Sequence, residues 1–264
     1  MKQIIDGFLL AVQFITTIPF RGNIPWNSER AKWSVRAFPL IGLIAGILII
    51  FQIYVLREYT PFSDLMISLW ILFFGVLFTG GLHLDGWMDM SDAVFSYRDK
   101  EKKLEIMNDS RVGAFGVLSL LFLLSFRFLF IYEILQYTTV LGLILITFIP
   151  FLSRTAAAVL LVNGKPAKST GMAAAYEGML SKKDVFFIVA VVIATSGVFV
   201  LFIKSLLCPI TILLVGCLLL YLFAKAFFSQ QFGGITGDTL GALLEGEETF
   251  LWFILWLLYS FSII

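Results

Sequence analysis

Seven stretches of this chain are long and apolar enough to cross a membrane, and no other feature restricts the possible folds so much. They run approximately over Ala37 to Leu56, Leu65 to Leu84, Phe115 to Leu135, Val140 to Val162, Val185 to Ile203, Cys208 to Ala224 and Leu243 to Ile264. A spanning helix needs roughly 20 mostly apolar residues, because each backbone amide in lipid has to be bonded within its own segment. Composition agrees: 59% of the residues are hydrophobic and 14% charged, against about 25% charged in a soluble domain. The expectation is an all-α, polytopic membrane protein forming one domain over residues 1–264, with about seven transmembrane helices.

The first apolar stretch, IIDGFLLAVQFITTIPF (Ile4 to Phe20), is short and interrupted by Asp6, Gln13 and Pro19. It reads as an interfacial or re-entrant helix and not as a signal peptide, since only Lys2 is basic ahead of it and no small-residue cleavage site follows. Cys208 and Cys217 share one apolar run, with no histidine or further cysteine at metal-ligand spacing, and are expected to be inert core residues. A net charge of +1 without a dense basic stripe excludes a nucleic-acid partner.

If the seven runs alternate in direction, segments 21–36, 85–114, 163–184 and 225–242 lie on one side, and the short connections 57–64, 136–139 and 204–207 on the other. The first set holds Arg21, Arg30, Lys32, Arg36, Arg98, Lys100, Lys102, Lys103, Arg111, Lys165, Lys168, Lys182, Lys183 and Lys225; the second holds Arg57 and Lys204. The excess of Lys and Arg makes the long loops cytoplasmic. Any polar reaction site is therefore expected there.

One of those loops opens with GGLHLDGWMDMSD (Gly80 to Asp92). On a helix, Asp85, Asp89 and Asp92 at i, i+4 and i+7 fall within an arc of roughly 60°. Three like charges on one face are tolerable if they diverge into water, if one is protonated, or if a divalent cation sits between them. Carboxylates are hard donors that suit Mg2+, Mn2+ or Ca2+. The simpler alternative is a solvated acidic helix end. Against it stand Gly80, Gly81 and Gly86, which keep the backbone open, and a second polar cluster at Asn108, Asp109, Ser110 and Arg111 just before the helix beginning near Phe115. Asn, Asp and Ser are common N-caps, but a helix N-terminus beside Arg111 is also an anion site. Next to a carboxylate-bound cation it would suit diphosphate chemistry. His83, the single histidine, is by type more often structural than catalytic, yet it stands two residues from Asp85.

Two arginines fall inside expected spans, where charges face a cavity or a partner. Arg154, in PFLSRTAAA, has small neighbours and reads as a substrate contact, whereas Arg127 reads as structural, snorkelling or meeting Glu133. The stretch FGGITGDTLGALLEGEE (Phe232 to Glu248) sets Gly233, Gly234, Gly237 and Gly241 around Asp238, with Thr236 and Thr239 as hydroxyl donors. It is either a turn or a loop whose amides approach a nucleotide or second metal.

Together these residues resemble a known family. GGLHLDGWMDMSDAVFS, KLEIMNDSRVGAFGVLSL, SRTAAAVL and GGITGDTLGA, in this order, with QFITTIPF near the start and AFPLIGLIAG in the first span, resemble the cobalamin synthases, or adenosylcobinamide-GDP ribazoletransferases. The resemblance implies a membrane transferase that joins adenosylcobinamide-GDP to α-ribazole or its phosphate, releases GMP and requires Mg2+. It carries over to Asp85, Gly86, Asp89 and Asp92, to Asp109, Ser110 and Arg111, to Arg154, and to Gly237, Asp238 and Thr239; Trp87 and Met88 depart from the usual smaller residues. The expected site then has Asp85, Asp89, Asp92 and Asp109 on Mg2+, Asp92 accepting the attacking hydroxyl's proton, and Arg111 or Arg154 on the equatorial oxygens. His83, Gly86, Asn108, Ser110, Thr236, Gly237, Asp238 and Thr239 would contact substrate. The expected location is the cell (inner) membrane, site facing the cytoplasm, with a homo-oligomer left open. Two rivals stand beside it: a lipid-directed CDP-alcohol phosphotransferase, which uses spaced aspartates but also an alanine-arginine pair absent here, and a divalent-cation transporter.

Overall fold

In the computed structural model, which describes residues 2–20, 22–137 and 139–263, the apolar runs fold as helices joined by short connections. Arg21 of the basic tally, Thr138 of one connection and Ile264 at the end of the last run lie outside the described residues. The order is α1 (Lys2–Ile15), α2 (Ser28–Tyr59), α3 (Asp64–Thr79), α4 (Leu82–Phe95), α5 (Lys100–Ile106), α6 (Ala114–Gln136), α7 (Val140–Asn163), α8 (Met172–Ala175), α9 (Lys182–Phe202), α10 (Leu207–Phe232) and α11 (Gly237–Ser260). Among the described residues there is no strand, only a parallel bridge between Pro166 and Ile235. The chain is an all-α, multi-pass membrane protein.

The expected count of seven spans is corrected. Five helices, α2, α6, α7, α9 and α10 with the 3-10 turn before it, are long and apolar enough to cross a membrane; a sixth counts if α3 and α4 are one bent span. The run expected over Leu65 to Leu84 is not one helix. It stops at Thr79, where Gly80 (φ +66°) and Gly81 (φ +76°) take left-handed conformations that other residues resist. The Gly81 amide donates to the Val76 carbonyl at 3.1 Å, closing α3 in a Schellman-type cap. The chain leaves at 89° as α4, which packs against α6 and α11. The last expected run belongs to α11, whose apolar half begins only after Glu245, Glu247 and Glu248.

The core centres on α7, buried almost continuously from Leu145 to Leu161. With no hydrophobic drive between helices in lipid, close contact relies on small residues: Gly42 and Gly46 set α2 directly on the α7 backbone at Pro150 and Thr147. At 14 residues α1 is too short to span, and Asp6 ties it to Arg30 of α2 at 2.7 Å. Arg36 of α2 holds Asp184 at the start of α9 at 2.6 Å, and Asp184 also caps that helix with Ser181. Cys217 is buried, but Cys208 is exposed, so only one of the two is a core residue.

Candidate active site

Two sequence motifs far apart in the chain meet where α4 crosses the start of α11. Gly86 makes this possible: a Cβ there would stand 2.7 Å from the Asp238 carbonyl oxygen and 2.8 Å from its Cα. Gly241 of α11 in turn lies against the His83 backbone. This crossing gathers Asp85, Asp89 and Asp238 into one acidic cluster. Asp85 is exposed and the other two are half-buried. Partial burial, followed by the charges of Asp85, Asp238 and Asp92, raises Asp89 to about 7.

The loop after α7 closes the cluster. The Ala167 amide donates to the Ile235 carbonyl at 2.9 Å, and the Ile235 amide to the Lys165 carbonyl at 2.8 Å, so segment 164–171 runs beside the turn into α11. Thr236 caps α11 through the Thr239 amide at 3.2 Å, while Thr239 Oγ1 accepts from the Thr236 amide at 2.8 Å. Both threonines are thus used in folding the turn that presents Asp238. Lys168 lies within electrostatic reach of Asp89 and Asp238, and its Nζ donates to Asn108 Oδ1 at 2.7 Å. A polar pocket of about 240 Å³ opens between Asn108, Lys168, Gly171, Thr236, Gly237 and Asp238.

Other expected site residues are placed differently. Asp92 shares the helix of Asp85 and Asp89 but turns to α6. Its Oδ2 accepts from the Gly113 amide at 2.7 Å and its Oδ1 from the Gly116 amide at 2.8 Å. The anion site expected at the start of α6 therefore exists, but the chain's own carboxylate fills it, and the N-cap is Gly113 rather than Asn108, Asp109 or Ser110. A proton-accepting role for Asp92 competes with this use of both oxygens. Asp109 and Arg111 pair with each other at 2.6 Å in an exposed turn that also carries Ser110; the guanidinium, 88% exposed, holds the Asp109 carboxyl at about 2. The pair does not join the acidic cluster.

Arg154 is 3% exposed, does not line the polar pocket and pairs with Glu248 of α11. Arg127, expected to snorkel or meet Glu133, instead pairs with Glu245 at 2.8 Å and Glu248 at 3.4 Å. His83 is buried beneath the cluster, its Nδ1 without a hydrogen-bond partner. Lys168 is the residue that sequence reasoning missed. In the sequence it is one of many loop cations, and nothing local distinguishes it; the contact of segment 164–171 with Ile235 does.

Among the described residues, no three His, Cys, Asp or Glu side chains converge as a preformed metal site. Asp238 is a hard oxygen donor that lines the polar pocket, with the carboxylates of Asp85 and Asp89 within electrostatic reach. That set suits a cation bound through one or two carboxylates that completes its shell with water and phosphate oxygens, as Mg2+ usually does.

Comparison with known proteins adds the following. The family described as cobalamin-5-phosphate synthase matches residues 7–256. The adenosylcobinamide-GDP ribazoletransferase of Geobacillus sp. (strain WCH70) is 47% identical over 272 residues, covering 100% of both chains. The protein of that name from Halalkalibacterium halodurans is 38% identical over 264 residues, 97% of each chain. A third, from Clostridium botulinum (strain Okra / Type B1), is 34% identical over 256 residues, 97% of this chain and 99% of its own. No solved structure matches the chain.

Proposed function

The chain belongs to the cobalamin-5-phosphate synthase family, and from that membership we propose that the acidic cluster at the α4–α11 crossing is where it acts as an adenosylcobinamide-GDP ribazoletransferase. The observation that carries this is the packing of Gly86 on Asp238, which joins two otherwise distant motifs into one set of carboxylates with Lys168 at its rim.

In this reading the substrates are adenosylcobinamide-GDP and α-ribazole or its phosphate. A ribazole hydroxyl attacks the phosphorus that bears cobinamide, the bond to the bridging oxygen breaks, and GMP leaves with the electron pair. Asp85 and Asp238 would hold Mg2+. When bound, Mg2+ neutralises diphosphate charge and makes GMP the better leaving group. Lys168 Nζ, a compact and mobile ammonium, binds a non-bridging oxygen. It takes the role expected of Arg111 and Arg154, both of which are paired elsewhere. The Asp89 carboxylate, half-buried one turn along α4 from Asp85, accepts the hydroxyl proton. Asp92 holds α6 in place beneath it.

The active face is cytoplasmic, supported by the concentration of Lys and Arg on the loops of that side. The lipid phosphotransferase and the cation transporter are not favoured, because full-length relatives are named ribazoletransferases.

The test is GMP release by the detergent-solubilised chain from adenosylcobinamide-GDP, α-ribazole phosphate and Mg2+, beside Asp85→Asn, Asp238→Asn and an EDTA arm. Metal-dependent GMP with a corrinoid product, lost in both variants, is expected. Wild-type turnover in a folded Asp238→Asn would remove α11 from the site.

A further inference from the structure

Four charged side chains meet in the apolar interior without touching the acidic cluster. Arg127 comes from α6, Arg154 from α7, and Glu245 and Glu248 from α11. At 1.5 Å per residue, Arg127 lies about 20 Å from the start of α6, Arg154 about 14 Å from the end of α7, and the glutamates about 12 and 17 Å from the start of α11. Each therefore stands roughly 12 to 20 Å along its helix from the nearer polar end, and the ion pairs bring the four together. Arg127 spans a whole turn of α11: besides both carboxylates it donates to the Glu245 carbonyl at 2.7 Å and to Thr249 Oγ1 at 2.9 Å. Arg154 reaches the other oxygen of Glu248 and Ser153 Oγ at 3.0 Å. Two positive and two negative charges balance; the third glutamate, Glu247, faces Cys217 instead.

Buried ion pairs are poor stabilisers, since the cost of taking charge out of water roughly offsets the attraction, and apolar residues often serve stability as well. What such a set provides is register. A helix with an apolar face can slide or rotate against its neighbours at small cost, whereas α11 cannot shift without breaking contacts to two helices at once and leaving bare charge in a dry interior. One and two turns above Glu245 stand Gly241 and Asp238, the residues that meet His83 and Gly86 on α4. His83 in turn lies within electrostatic reach of Arg154 and Glu245.

We propose that Arg127, Arg154, Glu245 and Glu248 are positioning residues that fix the register of α11 against α6 and α7 and so hold Asp238 opposite Asp85 and Asp89. This rests on the ribazoletransferase reading, and Arg154 acts here through α11 rather than on substrate.

The experiment compares kcat and KM for adenosylcobinamide-GDP, together with the melting temperature, in wild type, Arg154→Lys and the double variant Arg154→Met/Glu248→Met. The double variant removes both charges at similar volume and leaves neither unpaired with the other. Displacement of a reacting group by about 1 Å costs on the order of 10²-fold. A kcat lowered by about that factor at a temperature where the chain is folded, with KM within about threefold, is therefore expected. Arg154→Lys, which keeps the charge but not the fork, should fall between the two. A folded double variant with wild-type kcat overturns the proposal by leaving the pair a purely structural role. A raised KM at unchanged kcat overturns it in favour of direct substrate contact. Should the double variant not fold, Arg154→Lys decides by the same split. Absence of GMP release from wild type strikes at the ribazoletransferase reading instead, so the two failures are distinct.

Discussion

Replacing Asp92 separates two roles that predict opposite patterns. As a proton acceptor it would be needed for rate and not for folding. As the structure has it, its two oxygens cap α6 from another helix, accepting from the amides of Gly113 and Gly116 at 2.7 and 2.8 Å. A hydrogen bond to a charged group contributes about 1.5–3 kcal/mol, and an acidic group at a helix N-terminus gains a further few tenths to 1 kcal/mol from the macrodipole. Asp92→Ala loses both bonds and leaves two partly buried donors unpaired, so about 4 kcal/mol of stability should go. Asp92→Asn keeps one oxygen acceptor but turns an amide NH2 toward the second N–H, at a cost of about 2 kcal/mol. Thermal unfolding of the detergent-solubilised protein should therefore rank wild type, Asn, then Ala. Hydrogen exchange should quicken first at the start of α6. GMP release, measured where each variant is folded, should follow the same order. The outcome that would refute this is melting like wild type in both variants with an equal loss of activity of about 10²- to 10⁴-fold, the usual contribution of a general base.

Three further outcomes follow from the same geometry. Lys168→Ala removes a charge-assisted contact of about 1.5–3 kcal/mol, so kcat/KM for adenosylcobinamide-GDP should fall roughly 10- to 150-fold. Arg111→Ala, exposed and already paired with Asp109, should change it less than about threefold; the reverse ranking in steady-state assays would return the phosphate to Arg111. Gly86→Ala drives a methyl into the Asp238 backbone at 2.7 Å, and should cost about 1–3 kcal/mol in melting experiments and a larger share of turnover than of stability. Gly80→Ala imposes φ +66° on a residue that resists it, so circular dichroism and activity should together report a chain still helical but with the turn into α4 weakened.

The fold class was legible because lipid leaves a chain few options: apolar runs of spanning length become helices whatever their neighbours do. Helix ends were less so. The run to Leu84 looked continuous because composition does not register that two adjacent glycines, each free to take positive φ, can turn a helix through 89°. Within the site, the aspartate spacing correctly put Asp85, Asp89 and Asp92 on one helix, yet periodicity could not say that the third of them faces another helix's amides. The partners of Arg127 were hidden for a related reason. An intramembrane charge signals that a partner exists, but its identity depends on which helices adjoin; Glu133, close in sequence to Arg127, was the visible candidate, whereas Glu245 and Glu248 arrive from over a hundred residues away. Lys168 went unseen because a loop cation acquires meaning only from the segment laid beside it.

The bend at Gly80 and Gly81 is what turns a row of aspartates into a shared site. A straight continuation of α3 would carry Asp85 about 9 Å and Asp92 about 20 Å beyond Thr79, out into water, where each carboxylate would be solvated alone and no other helix could reach it. Turned by 89°, α4 lies over the beginnings of both α6 and α11. Leu84, Gly86 and Ala93 then face the bundle, and the carboxylates stay at the polar rim, where the desolvation cost of an ionised group remains moderate. Each end of the helix meets a different neighbour: Asp85 and Asp89 face the Asp238 of α11, and Asp92 fastens the start of α6. A shift of α4 along its axis would disturb the acidic cluster and the α6 cap together, so the fold penalises the same displacement twice. The buried charges of α6, α7 and α11 oppose a shift of the other partner, α11, so both sides of the acidic cluster are tied to elements outside it.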